Sequence, residues 1–186
     1  GKLEPTNEAY ALAKITITKL CAYYRSQYKK DFITVVPTNL YGEGDNFDAN
    51  NGHVISALIT KFVKAKQDNS EKVELWGTGE PLREFIYVDD AATGILMLTE
   101  HYAKESHINL CGGETVSIKN LASIIQEMVG YQGKVVFDTS KPDGMMKKSL
   151  DNSAIAELDW LPEISLTNGL QRTLNYYLQR DKNYGV

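Results

Sequence analysis

Hydrophobic and polar positions alternate along this chain in blocks, and the period of each block predicts an element. From Asn7 to about Lys30 no Gly or Pro intervenes, and Ala13, Ile17, Leu20, Tyr24 and Tyr28 recur at helical spacing. Leu12, Ile15, Ala22 and Tyr23 give the same helix a second, partly apolar side. A helix apolar on two faces is expected to be covered on both, by its own sheet and by a partner subunit. Thr6 and Asn7 can cap it, and Glu8 suits the positive end of a helix. FITVVPT, 32–38, is an uninterrupted β-branched run, as expected of a parallel strand buried on both faces.

The rest of the chain repeats this alternation. Gly, Asn and Asp load the stretch 39–52 as a loop, and HVISALITKFVKAKQ, 53–67, returns to helical spacing. KVELWG (72–77) and EFIYV (84–88) are short strands around the turn TGEPLR. Asp89 or Asp90 caps a helix over AATGILMLTEHY, and HINLC, 107–111, is again strand-like. After GGETVS, SIKNLASIIQEMVG forms a helix ended by Gly130. KVVFD (134–138) is the last clear strand; a polar loop, a short helix near 153–158 and a helix from Ser165 to about Arg180 complete the chain. Strands alternating with helices predict an α/β architecture. A doubly wound dinucleotide domain opens with a strand, a Gly-rich turn and a helix, and no G-x-G-x-x-G occurs here.

Composition narrows the function classes. The net charge of −4, from 24 acidic and 20 basic residues, argues against general nucleic-acid or membrane-surface binding. No apolar run approaches the ~20 residues that span a bilayer, and GKLEPTNEAY has no apolar leader core, so a cytoplasmic protein is expected. The start enters almost directly into a helix, like the interior of a longer protein. Cys21 and Cys111 lack metal-ligand spacing, so no metal site is expected; both are assigned to packing in a reducing compartment.

Candidate chemistry begins at NEAYALAK. Tyr10 and Lys14 are four residues apart, so a helix places them on one face. An ammonium beside a phenol favours the phenolate, and such a tyrosine can exchange a proton with a carbonyl or alcohol oxygen. Alone, Tyr-x-x-x-Lys is also what an ordinary exposed helical pair looks like.

Context adds to it: the pair opens a long helix, a strand follows, and the strand ends in PTNLYG. That succession resembles the extended short-chain dehydrogenase/reductase family of nucleotide-sugar epimerases and reductases. PTNLYGEGDNF (37–47), NGHVISALI (51–59), WGTGEPLREFIYVDD (76–90) and FDTSKPDGMMKKSLD (137–151) carry the resemblance along nearly the whole chain. They are most similar to members that epimerise GDP-4-keto-6-deoxy-mannose at C3 and C5 and reduce C4 with NADP(H) to give GDP-fucose.

The resemblance implies the C-terminal part of a Rossmann-like extended short-chain dehydrogenase with a small α/β substrate-binding domain. Residues 1–50 would be the Rossmann remnant and 51–186 mainly the GDP-sugar domain, with 84–105 packing back on the Rossmann part. The Gly-rich cofactor half and the family's catalytic serine and cysteine would lie upstream, leaving this piece inactive alone. Tyr10 would be the proton donor during reduction, Lys14 its partner and a ligand of the nicotinamide ribose, and His53 the acid in epimerisation beside the cofactor. Pro37, Thr38, Asn39 and Leu40 would lie along the nicotinamide. Lys61, Trp76, Arg83, Asp143 and, more weakly, Lys148 would hold the GDP-sugar. Lys61 departs from the arginine that relatives can carry, keeping the charge without the fork geometry. A homodimer through helix 7–30 is implied as well. Two alternatives stay open: another NAD(P)-dependent nucleotide-sugar epimerase or dehydratase, and a non-catalytic sugar-nucleotide-binding piece.

Overall fold

The computed structural model describes residues 2–3, 5–49, 51–104 and 106–183. A short 3-10 turn, Pro5–Asn7, leads into α1 (Glu8–Tyr28), followed by β1 (Val35–Pro37), β2 (Asn39–Tyr41) and α2 (Val54–Gln67). Next come β3 (Lys72–Trp76), β4 (Leu82–Tyr87), α3 (Val88–His101), β5 (Ile108–Leu110), β6 (Glu114–Ser117) and α4 (Ile118–Val129). β7 (Lys134–Asp138), β8 (Lys147–Lys148), α5 (Ser153–Ala156) and α6 (Leu166–Asn183) complete the chain. The α/β alternation expected from the apolar periods is present.

Strand pairing explains where the expectation for the loops fails. β4 is the hub: it pairs in parallel with β2 and β8, and antiparallel with β6. None of those three partners stands out in the sequence, because Asn39, Glu114 and the Lys147–Lys148 pair are turn-like or polar residues. Long-range ladder bonds to an apolar central strand decide their conformation instead. β3 and β7 form a separate parallel pair, in register from Lys72–Lys134 to Trp76–Asp138. Among the described residues β1 pairs only with β5, and it covers three residues of the FITVVPT run. Its residues are half-buried or exposed and Phe32 is largely exposed, so the expected burial on both faces is not found. A two-stranded sheet leaves one edge of β1 without a neighbour among the described residues.

Helix ends follow local rules in part. Ser117 caps α4 by accepting from the Asn120 N–H, and Gly130 closes it in the left-handed region. Asn7 holds the N-cap position of α1 without a side-chain cap bond. The N-cap of α3 is Tyr87; Asp89 and Asp90 lie in its first turn, where the helix dipole favours them. Asp90 is buried and accepts from the backbone N–H groups of Glu163 and Ile164, which ties the segment before α6 onto α3.

Two apolar cores form. The larger joins α2, α4 and α6 to β3 and β4 through Ile55, Ile59, Phe62, Leu121, Ile125 and Leu170. Removing a side chain such as Phe62 from water contributes roughly 1.5–3 kcal/mol. The smaller core packs Leu98 of α3 against Ile86, Ile108, Leu110 and Ile155, with Ile33 and Val35 at its margin. α1 joins neither core, and none of its residues is buried. It touches the rest of the chain near its C-terminal end, where Arg25 donates to the Ala103 carbonyl and Tyr24 packs edge-on against Phe32. The expectation that its two apolar faces are covered is not met among the described residues.

Candidate functional site

The helical spacing of Tyr10 and Lys14 delivers the predicted contact. The Lys14 ammonium lies 5.3 Å from the centroid of the Tyr10 ring, on an open face of α1. Both groups are therefore reachable by a ligand, and the helix fixes the backbone between them.

The carboxyl end of β1 opens at Pro37, and in open α/β sheets ligands bind outside such ends. Thr38 is buried and donates from Oγ1 to the Glu84 carbonyl at 3.1 Å; Asn39 donates from Nδ2 to the same oxygen at 2.6 Å. Their side chains lock the strand end onto β4. Pro37 and Leu40, by contrast, present exposed apolar surface.

His53 is the N-cap residue of α2 and its side chain is 78% exposed. Its Nδ1 lies 2.8 Å from Asp45 Oδ1. Asp45 is nearly buried; its other oxygen accepts from the fully buried Ser56 hydroxyl, and Oδ1 also takes the Asn46 N–H.

The remaining predicted residues lie on α2, β3, β4, β8 and the loop between β7 and β8. Arg83 and Lys148 face each other in the β4–β8 register. The Arg83 guanidinium is partly buried, which pulls its pKa below the ordinary value against the opposing field of Asp143. Trp76 ends β3 with 70% of its surface exposed, and the Lys141 ammonium stands 5.8 Å from its ring centroid. Asp143 uses both oxygens on Thr78, taking the backbone N–H at 2.7 Å and the hydroxyl at 2.8 Å. Gly77 beside it has φ +79°, and a Cβ there would run into the Asp143 carboxylate. This turn holds the 138–146 loop against the end of β3, with both Asp143 oxygens engaged there. Lys61 projects from α2 and is half-buried. On a chain of net charge −4, Arg83 and Lys148, opposite each other across β4 and β8, make a local cationic pair suited to an anionic ligand.

Three contributors escape sequence reasoning. Asp45 lies in a polar loop, eight positions before His53, with no local pattern to mark it. Lys141 is one of several loop lysines. Glu84 carried a signal, being a carboxylate inside the apolar run of β4. It is buried and accepts from the Gly112 N–H at 2.8 Å and the Leu150 N–H at 3.1 Å. It thereby joins the strand end at 38–39 to the segments after β5 and β8.

Residues 1–111 match the NAD dependent epimerase/dehydratase family. The chain is 49% identical over 179 residues to "Probable GDP-L-fucose synthase 1" of Oryza sativa subsp. japonica, covering 96% of this chain and 55% of that protein. It is 45% identical over 194 residues to GDP-L-fucose synthase of Escherichia coli strain K12, covering 99% of this chain and 60% of that protein. A solved GDP-L-fucose synthetase from Naegleria fowleri bound to NADP superposes with a TM-score of 0.91 at 33% identity, covering 98% of this chain and 59% of that one. The chain thus spans a little over half the length of the relatives it matches.

Proposed function

Because this chain belongs to the NAD dependent epimerase/dehydratase family and has its Rossmann-like extended short-chain dehydrogenase fold, we propose that it supplies the sugar-nucleotide site and proton-transfer residues of a cytoplasmic, NADPH-dependent GDP-L-fucose synthase. The observation that carries this reading is the Tyr10–Lys14 contact on an open helix face. The reaction is epimerisation of GDP-4-keto-6-deoxy-D-mannose at C3 and C5, then reduction at C4. Support for GDP as the nucleotide comes from the relatives' names, and the Arg83–Lys148 pair across β4 and β8 suits a diphosphate.

The residues present fit the nicotinamide end of the cofactor: exposed apolar Pro37 and Leu40 at a strand terminus, and the Lys14 ammonium beside Tyr10. Lys14, residues 37–40 and His53 would hold it, and when bound it supplies the hydride for C4. Tyr10 gives its phenolic proton to the C4 oxygen as negative charge develops there, and the adjacent ammonium stabilises the phenolate that remains. His53 returns a proton to carbon during epimerisation, where the neighbouring carbonyl makes the C–H bond acidic. Arg83, Lys61 and Lys148 hold the diphosphate, Arg83 with parallel donors, while Trp76 offers its exposed face to the base. We assign the smaller core with residues 1–50 and 84–105 to the cofactor side, and the larger core to the substrate side. The uncovered faces of α1 are assigned to a homodimer, which sedimentation of the full-length protein tests.

The reading is tested by mixing the full-length protein with GDP- and UDP-linked 4-keto-6-deoxy sugars and following NADPH absorbance. Consumption with the GDP-linked sugar is expected. Preference for the UDP-linked sugar would reject the nucleotide assignment, and no consumption with either would reject the reductase.

A further inference from the structure

A histidine held at Nδ1 by a carboxylate is no longer free to choose its tautomer. An ionised carboxylate only accepts hydrogen bonds, so the Nδ1 that meets Asp45 Oδ1 at 2.8 Å carries a proton. Asp45 itself cannot turn away. Ser56 of α2 donates to Oδ2, the Asn46 N–H reaches Oδ1 at 2.8 Å, and the carboxylate sits at the positive N-terminal end of α2. Ser56 is fully buried and the Asp45 side chain is only 11% exposed, whereas the His53 ring is 78% exposed. One edge of the ring is anchored, and Nε2 is the nitrogen left for a ligand.

We infer that Asp45 is a positioning residue: it fixes His53 as the Nδ1–H tautomer and so makes Nε2 the atom that exchanges protons with the sugar. The inference rests on the proposed epimerase function for its catalytic part. In the step concerned, Nε2–H of the imidazolium gives its proton to the enolate carbon beside C4. The enolate's carbon–carbon π electrons form the new C–H bond, the carbonyl is restored, and the ring is left neutral with its proton on Nδ1, still donated to Asp45. Asp45 offsets the imidazolium charge before the transfer and holds the ring plane after it, without receiving the proton itself. The neutral ring is then in the tautomer that can be recharged at Nε2 for the second carbon.

The tautomer is read directly from nitrogen-15 spectra of the three histidines in this chain, at a pH where the rings are neutral. Wild-type His53 is expected to be protonated at Nδ1. In Asp45→Ala the Nε2–H form is expected to dominate, while Asp45→Asn, whose amide oxygen still accepts, keeps the Nδ1–H form. His101 and His107 serve as internal references. A wild-type ring protonated mainly at Nε2 would overturn the inference even if Asp45→Ala fails to fold, and so would an unchanged tautomer in a folded Asp45→Ala. In the full-length protein, Asp45→Ala is expected to slow solvent-deuterium entry at C3 and C5 on the order of tenfold or more beyond any loss of hydride transfer. Equal loss of both steps would reduce Asp45 to a structural tie and overturn the positioning role. A wild-type protein with the assigned tautomer but no deuterium entry would reject the epimerase reading alone, leaving the Asp45–His53 arrangement standing.

Discussion

Along α2, Ile55, Leu58, Ile59, Phe62 and Val63 are all buried, whereas along α1 Leu12, Ile15, Ile17, Leu20 and Tyr23 remain 46–64% exposed. Both helices carry a generous apolar load. α2 concentrates its load on one stripe, and α4 and β3 within the same chain can cover a stripe. α1 spreads its load over two sides, and one small neighbouring sheet cannot cover two sides of a helix. An apolar pattern thus reports which faces want burial; the identity of what buries them is a property of the assembly. Tyr10 and Lys14 sit on the uncovered helix, while Lys61, Trp76, Arg83 and Lys148 sit on or beside the packed unit. The unit packed around α2, α4 and β4 is expected to be the stable part of this chain, and α1 the part that depends on its surroundings.

The comparison can be broken most readily in the large core. Phe62→Ala should destabilise the chain by about 3–5 kcal/mol, through lost transfer energy and a cavity, as measured by chemical denaturation. A loss under 1 kcal/mol would mean that the packed unit is not what holds the chain together. The two thiols offer a chemical version of the same contrast. Cys111 is fully buried, and burial first, then the fields of Glu84 and Asp151, push its pKa from 9.0 up to about 11. Its thiolate fraction near neutral pH should fall about a hundredfold, and alkylation at Cys111 should lag that at half-buried Cys21 on α1. The same shift fixes a sign. Unfolded chains ionise this thiol first as pH rises, so its contribution to stability is complete below about pH 9 and is lost towards pH 11. The smallest effect belongs to α1: Ile17→Ala should change the stability of the isolated chain by no more than about 0.5 kcal/mol. A larger loss in the chain as a monomer would show that this face is already covered.

The contrast also sorts what was legible in the sequence. Tyr10 and Lys14 were readable because a helix turns a four-residue spacing into a contact without help from the rest of the fold. The α2 and α4 stripes were readable for the same reason, as was the Gly130 stop. β2, β6 and β8 were not, because their strand character comes from β4, tens of residues away, and their own residues favour turns. The site divides likewise. His53 could be proposed from the segments around it, but its hold on Asp45 depends on how a Gly- and Asn-rich loop closes over the start of α2. Asp143 was expected to face a ligand, and the structure shows both of its oxygens engaged by Thr78, a tertiary contact that no local spacing encodes.

The central claim concerns one proton. In the full-length protein, Tyr10→Phe removes the phenolic hydrogen while keeping the ring on which the Lys14 ammonium rests. NADPH oxidation with the GDP-linked 4-keto sugar should fall by roughly 10²–10⁴-fold, with the dissociation constant of the GDP-sugar changed less than about twofold. Turnover at the wild-type rate in that variant would contradict the account.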